Sequence, residues 1–244
     1  MAEPMGFFTD TTVCIGCKAC EVACKEWNQL PSTNGGANTL SGQSYDNTRQ
    51  LDGIHWRHVR FIEQFDADRH DGRWLMMSDV CKHCAHASDA CNGCRDCIGA
   101  CPFGVIDINP VSGTAQKCTL CYDRMQVGLT PACAKACPTE SIKFGPLEEL
   151  RRKARGRVAQ LHERGHTAAY LYGDDEKILG GLNSFYLLED KPEVYGLPAD
   201  PKMPSRNLFP ASMFSGLGAL MVGLVGLLSF RQRRMDAVAG RDNV

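Results

Sequence analysis

Fourteen cysteines fall into a few short runs, and their spacing is the first indication of chemistry in this chain. Cys14, Cys17, Cys20 and Cys24 follow C-x2-C-x2-C-x3-C. Cys91, Cys94, Cys97 and Cys101 repeat it, with Pro102 behind the last. Cys118 and Cys121, then Cys133 and Cys137-Pro138, form a variant with a longer gap before the third thiol. Cys81 and Cys84 begin one further run. A disulfide needs two sulfurs brought together and imposes no repeated local spacing. Structural zinc usually takes two C-x2-C knuckles about a dozen or more residues apart. A [4Fe-4S] cluster needs four thiolates around one compact body. C-x2-C-x2-C wraps three of them, and a distant cysteine, often before proline, supplies the fourth. Two or three such matches in one chain single out clusters over zinc or disulfides.

In two-cluster ferredoxins the fourth cysteine of each run ligates the other cluster. That rule assigns Cys14, Cys17, Cys20 and Cys137 to one cluster, and Cys118, Cys121, Cys133 and Cys24 to a second. The eight thiols come from opposite ends of the cysteine-bearing sequence. They imply two ferredoxin-like modules, one inserted between the halves of the other. The inner module does not close, because six cysteines remain where two full clusters need eight. Cys91, Cys94 and Cys97 hold one cluster and Cys81, Cys84 and Cys101 another, each a protein ligand short. Alternatively, one cluster is fully ligated and two cysteines are spare. His83 and His86 flank Cys84 and are candidates to replace a lost ligand, although such histidines more often hydrogen-bond cluster sulfur or face solvent. Lys18, Lys82 and Lys117 sit beside ligands, where a cation raises the local potential or is simply solvated. Trp27, Trp56 and Trp74 are expected to pack over clusters and keep water out. No Gly-rich phosphate loop or Ser-His-Asp spacing accompanies the cysteines, so no catalytic residue is assigned.

The elements that must hold these thiols are short. Residues 5–13 read as a strand burying Phe7 and Phe8. Cys14 to Cys20 form a tight loop that enters a helix ending near Asn28. Residues 31–53, rich in Gly, Asn, Ser and Thr, read as an irregular loop. Residues 55–64 alternate like a strand, with Trp56, Val59, Phe61 and Phe65 as its apolar positions, and residues 73–80 form another strand leading into Cys81. His55 and His58 are read as ordinary strand histidines. Pro146 to Gly165 is an amphipathic helix with Leu147, Leu150, Ala154, Val158 and Leu161 on one face and a solvated basic face opposite. Residues 168–172 and 184–188 are short strands, and 190–210 is a Pro-rich linker. The domain plan is a cluster domain over 1–145 (outer module 5–30 and 112–145, inner module 75–111), with residues 146–189 packed on it.

Residues 211–230 carry no charge. At about 1.5 Å per residue such a helix spans about 30 Å, the thickness of a bilayer's hydrocarbon core. A buried core helix is the alternative, but those are usually shorter and one-sided. Arg231, Arg233 and Arg234 follow. By the positive-inside rule they place the 231–244 tail in the cytoplasm and the cluster domain on the outer face of a single-pass inner-membrane protein. Ala211, Ser215, Ala219 and Gly223 make a small-residue stripe suited to a neighbouring membrane helix. Before Cys14 the chain has no basic segment followed by an apolar one, as a signal peptide would. Synthesis and cluster loading in the cytoplasm are therefore expected, which does not fix where the mature protein works, because a folded subunit can be exported with a partner that carries the signal. A net charge of -1 offers no basic footprint for nucleic acid.

The runs CIGCKACEVACKEWN, CNGCRDCIGACPFGVID and KCTLCYDRMQVGLTPACAKACPTESI, with DGIHWRHVRFIEQ and the C-terminal anchor, resemble the iron–sulfur (β) subunits of membrane-bound respiratory formate dehydrogenases. The likeness covers nearly the whole chain. The cysteine runs alone also resemble subunits of dimethyl sulfoxide, polysulfide and nitrate reductases and of some hydrogenases. The resemblance implies an α+β fold of two interleaved ferredoxin-like modules plus one transmembrane helix. It also implies a chain of four [4Fe-4S] clusters relaying electrons. The donor would be a molybdenum or tungsten bis-pterin catalytic α subunit, and the acceptor a membrane cytochrome b γ subunit and its quinone. The chain departs from the family where a third and fourth cysteine and a connecting segment should follow Cys84. Between Ala87 and Cys91 that portion is absent. Either the inner clusters are held in a non-standard way or a segment has been lost. Two other roles remain open: the same relay for a hydrogenase or another molybdopterin oxidoreductase, and a maturation or scaffold protein with structural clusters.

Overall fold

The computed structural model describes residues 3–32, 45–46, 48–68, 70–83, 94–202 and 208–239. Cys84, His86 and Cys91 lie outside them. So do residues 33–44 of the expected irregular loop.

The centre of the chain is a four-stranded mixed sheet in the order β6-β1-β8-β7. It is built from β1 (Met5–Asp10), β6 (Ile142–Pro146), β7 (Tyr170–Tyr172) and β8 (Ser184–Leu188). β1 runs antiparallel to β6, with Phe7 opposite Phe144, and parallel to β8, with Phe8 opposite Phe185. Because side chains alternate along a strand, β1 feeds two cores. Phe8 stacks on Phe185 and joins Leu147, Leu150, Ala154 and Leu161 of α5 (Leu147–Glu163). Phe7 points into the second core, among Val59, Val80, Ile142 and the thiols of Cys20, Cys81, Cys118 and Cys133. Fully burying a side chain of this size stabilises the fold by roughly 1.5–3 kcal/mol. One strand therefore ties the supporting helix to the cysteine layer. At Gly6 a Cβ would stand 2.2 Å from the Asn183 carbonyl oxygen, so only glycine lets β1 lie this close to the turn before β8.

β1 is shorter than the sequence pattern implied. At Asp10 its carboxylate accepts from the Thr12 N–H and hydroxyl, and the chain turns into a 3-10 helix, Thr11–Val13. α1 (Ala19–Trp27) follows the first cysteine loop. β2 (Arg57–Phe65) and β3 (Gly72–Val80) form a separate antiparallel ribbon, with Arg57 opposite Val80. Its inner end is buried and its tip exposed, so Phe65, expected inside, is 54% exposed. Next come α2 (Asp96–Ala100), a two-residue hairpin of β4 (Asp107–Ile108) with β5 (Ala115–Gln116), α3 (Tyr122–Gln126) and α4 (Ala132–Lys135). β6 has no counterpart among the sequence-based expectations. Its sequence, IKFGP, shows little alternation, and it becomes a strand by completing the edge beside β1.

Arg152, Lys153 and Arg155 of α5 are exposed, as expected of a solvated basic face, but Arg157 is turned inward. Arg157 reaches Asp10 at 2.9 Å and Thr12 at 3.1 Å. Residues 190–202 are not simply extended. A 3-10 turn, Pro192–Tyr195, seats Tyr195 and Leu197 as buried side chains.

α6 (Leu208–Ala239) is a second unit by itself. Its stretch Ser212–Asp236 is long and apolar enough to cross a membrane, with a mean hydropathy of 2.0. Large apolar side chains such as Leu220, Val222 and Leu227 are exposed along it. The helix continues past the apolar segment through Arg231, Arg233 and Arg234.

Candidate metal centres

The first cysteine loop is shaped by two left-handed residues. Gly16 has φ +65°, and a Cβ there would meet Met76 Sδ and Phe61 Cε1 at 2.6 Å. Lys18 has φ 60° and opens α1. Arg95 occupies the equivalent position between Cys94 and Cys97, has φ 67° and opens α2. The repeat seen in the sequence is thus also a repeat in backbone conformation. A turn into the left-handed region just before a helix reverses the chain over a few residues, as wrapping three thiols around one body requires.

Cys14, Cys17 and Cys20 line one pocket, and Cys137 completes its thiol set from the far end of the domain. Lys18, Val59, Ser78, Thr139, Ser141 and Ile142 form most of the remaining wall. Cys24, Cys118, Cys121 and Cys133 make a second group: Cys133 helps to raise the thiol pKa values of Cys24, Cys118 and Cys121, and Cys24 helps to raise that of Cys118. All four are buried. α1 carries Cys20 and Cys24 one turn apart, and α1 packs on α4, which carries Cys133. Cys133 therefore neighbours both groups. From Cys118 the series continues to Cys81, and from Cys81 to Cys101. Cys94 and Cys97 are exposed and Cys101 is half-buried.

The donor set suits iron–sulfur clusters. Burial pushes Cys20 and Cys24 up to about 12 and Cys118 well above the ordinary thiol value, with neighbouring sulfurs adding to the effect. Thiols so disposed deprotonate when a cation takes them as ligands. Donors are already placed near several sulfurs. The Leu120 N–H lies 3.4 Å from Cys118 Sγ, Asn28 Nδ2 3.6 Å from Cys24 Sγ, and Ser78 Oγ 3.2 Å from Cys20 Sγ. Hydrogen bonds to ligand sulfur raise a cluster's potential.

The flanking residues divide in an unexpected way. Lys82 is not solvated: it is 1% exposed and pairs with buried Asp79, which also takes Arg60 at 3.2 Å and the Tyr186 hydroxyl at 3.1 Å. Lys18 pairs with Glu21 at 3.2 Å, and Lys117 donates to the Cys118 carbonyl at 3.3 Å. His58 is fully buried beside Glu21 at 3.4 Å, while Glu21 also accepts from the Val59 N–H and so clamps α1 to β2. Burial opposes the charge of Glu21, but His58, the Val59 N–H and Lys18 outweigh it and hold the carboxyl below its usual range. Of the three tryptophans, Trp56 packs against the cysteine core, whereas Trp27 and Trp74 are roughly half exposed. Trp27 donates to Asp123 at 2.7 Å under the Arg124 guanidinium, and Trp74 belongs to an aromatic cluster with Tyr45 and Phe61.

Arg57, Ser78 and Asp79 are site residues that no motif marks. A signal is present all the same. Each is a polar residue at the buried end of a strand that leads towards or away from cysteines.

Residues 13–105 and residues 85–147 each match a 4Fe-4S dicluster domain, and together these spans contain every cysteine. The formate dehydrogenase iron-sulfur subunit of Haemophilus influenzae is 41% identical over 80% of this chain and 68% of its own length. The formate dehydrogenase-O iron-sulfur subunit of Escherichia coli is 37% identical over 89% of this chain and 79% of its own. A subunit of the anaerobic dimethyl sulfoxide reductase of E. coli is 30% identical over 63% of this chain and 78% of its own. With two 4Fe-4S dicluster matches around thiols gathered in this way, the protein belongs to the family of formate dehydrogenase iron–sulfur subunits, the electron-transfer components of those enzymes.

Proposed function

We propose that the chain relays electrons from a formate-oxidising molybdenum or tungsten subunit to a cytochrome b partner and its quinone in the membrane. The observation that carries this reading is the continuity of the thiols. The pocket of Cys14, Cys17, Cys20 and Cys137 abuts the group of Cys24, Cys118, Cys121 and Cys133, and the series continues through Cys81 to Cys101. In this reading each of the two groups holds one [4Fe-4S] cluster. The remaining cysteines, Cys81, Cys84, Cys91, Cys94, Cys97 and Cys101, hold one or two more with an incomplete protein ligand set. A [4Fe-4S] cluster bound there supplies one-electron storage at a potential set by its surroundings. The chain's own part is to fix the thiols, to exclude water through Phe7, Val59, Val80 and Ile142, and to aim donors at the sulfurs. The pairing of β1 with β6 and the packing of α1 on α4 support the interleaved plan, since both join residues before 30 to residues after 112.

The test is a potentiometric titration followed by EPR on the assembled complex. Formate is expected to reduce the clusters within turnover time. Clusters that stay oxidised with formate while dithionite reduces them would reject the relay of electrons from formate. The likeness to a dimethyl sulfoxide reductase subunit keeps one rival open, the same relay beside another molybdopterin subunit. The co-purified large subunit decides between them.

α6 anchors the cluster domain to the inner membrane in this reading, with residues 231–244 on the cytoplasmic side and the clusters on the outer face. Three arginines directly after the apolar stretch support that orientation. A reporter fused after Val244 should be active only in the cytoplasm. Activity on the outer side would reverse the topology.

A further inference from the structure

Arg57, the first residue of β2, is 2% exposed. Its Nη1 donates to Ser78 Oγ at 3.0 Å, and its guanidinium lies 5.0 Å from the centre of the Phe7 ring. Nε and Nη2 are buried without a hydrogen-bond partner among the described residues. A buried guanidinium with two idle nitrogens is unfavourable unless an anion lies close by. Asp79, the nearest buried carboxylate along β3, is already engaged by Lys82 and Arg60. The sulfurs of Cys133, Cys20 and Cys118 lie within its electrostatic reach, and they become anionic when they serve as cluster ligands. Cys24 is within its electrostatic reach as well. Arg57 therefore lies over Phe7, in the core that holds Cys20 of one thiol group and Cys118 and Cys133 of the other.

Ser78 adds a direction. Arg57 can only donate, so Ser78 Oγ accepts from it. The hydroxyl proton is then free to point at Cys20 Sγ, 3.2 Å away. When Cys20 is a thiolate ligand it can only accept, and the order Arg57 to Ser78 to Cys20 is complete.

We infer that Arg57 is the potential-setting residue shared by the two outer clusters, acting on both by its fixed charge and on the Cys20 cluster through Ser78. This rests on the reading of the two thiol groups as cluster ligands. A cluster with four thiolates is anionic and gains a further negative charge on reduction. A fixed, desolvated cation in the core shared by two such sites favours the reduced form of each.

The experiment compares Arg57→Met, Arg57→Lys and Ser78→Ala in the full complex, by iron content and EPR-monitored potentiometric titration. A Cys137→Ser complex identifies which signal belongs to the Cys20 cluster. Arg57→Met is expected to keep its iron and lower both midpoint potentials. A shift of about tenfold in the oxidised-to-reduced ratio at fixed potential is expected, which is about 59 mV for one electron. Arg57→Lys should recover most of that shift, because the charge returns. Ser78→Ala should lower the Cys20 cluster alone. An Arg57→Met complex with full iron and unmoved potentials overturns the inference. Should Arg57→Met fail to assemble, an unmoved Cys20-cluster potential in Ser78→Ala overturns it instead. Absence of the two cluster signals from the wild-type complex would fault the ligand reading itself, a different outcome from unmoved potentials.

Discussion

Cys137→Ser is expected to cost the complex one whole cluster, about four irons per chain, while leaving the cluster of the buried group in place. Among the described residues, Cys137 is the pocket's only thiol from outside the first loop, and it lies close enough to Cys14 to influence it. A serine oxygen is a harder and less readily ionised donor than a thiolate, so three sulfurs are left to hold the cluster. The paired variant is Cys24→Ser. Cys24 lies in the first run by sequence, yet its neighbours are Cys133, Cys121 and Cys118. Its loss should therefore remove the other EPR signal. Iron and acid-labile sulfide, read with EPR on both variants, check the assignment. If Cys137→Ser abolishes the Cys118–Cys133 signal and Cys24→Ser the other, the crossing of ligands between runs is wrong.

Asp79→Ala should be among the most destabilising single changes outside the ligands. Asp79 and Lys82 are each 1% exposed and paired, and Arg60 and Tyr186 bind the same carboxylate. Removing Asp79 leaves the ammonium of Lys82 buried without its counter-charge, a loss of about 3–5 kcal/mol. In a domain of this size that lowers Tm by on the order of 10 °C. The double change Asp79→Asn with Lys82→Met should recover much of the loss, since neither buried charge then remains. The pH dependence has a definite sign. Burial pushes the Asp79 carboxyl up, but Lys82 and Arg60 outweigh this and hold it below the usual carboxylate range. A depressed folded-state value means that the contribution is complete above about pH 4, the unfolded value, and is lost as pH falls through the folded one. Thermal melts from pH 7 to pH 3 should show a steeper acid loss in wild type than in the double variant. Parallel curves would mean that the pair is not linked to folding.

The four residues Asp79, Lys82, Arg57 and Ser78 also show where a sequence stops being legible. Lys82 stands out because it adjoins Cys81, but that adjacency cannot reveal that its charge is consumed by Asp79. Pairing β2 with β3 puts Arg57 opposite Val80 and brings its guanidinium to Ser78. That register depends on the whole ribbon and on no local motif. Trp27 and Trp74 depart from expectation in the opposite direction. Size and apolarity argue for burial, but both stand at the margin of the domain, where an indole can donate to a carboxylate or stack in an exposed aromatic group while half in water.

Cysteine spacing, by contrast, is informative about the local backbone. Cluster chemistry constrains the local backbone so tightly that C-x2-C-x2-C carries its own loop, its left-handed residue and its following helix, as the repeat of Lys18 and Arg95 shows. The periodicity of α5 and the uncharged run in α6 are legible for a similar reason, since burial of one face or contact with an apolar medium acts residue by residue. Long-range closure is decided elsewhere. β6 becomes a strand because β1 offers it an edge, and β8 lies parallel to β1 across nearly the whole length of the domain. Cys137 comes to Cys14 because those strands bring together segments more than a hundred residues apart. Electrostatic partners follow from the same closure. Charges act through space, and only folding gathers sulfurs from both ends of the cysteine-bearing sequence near Arg57.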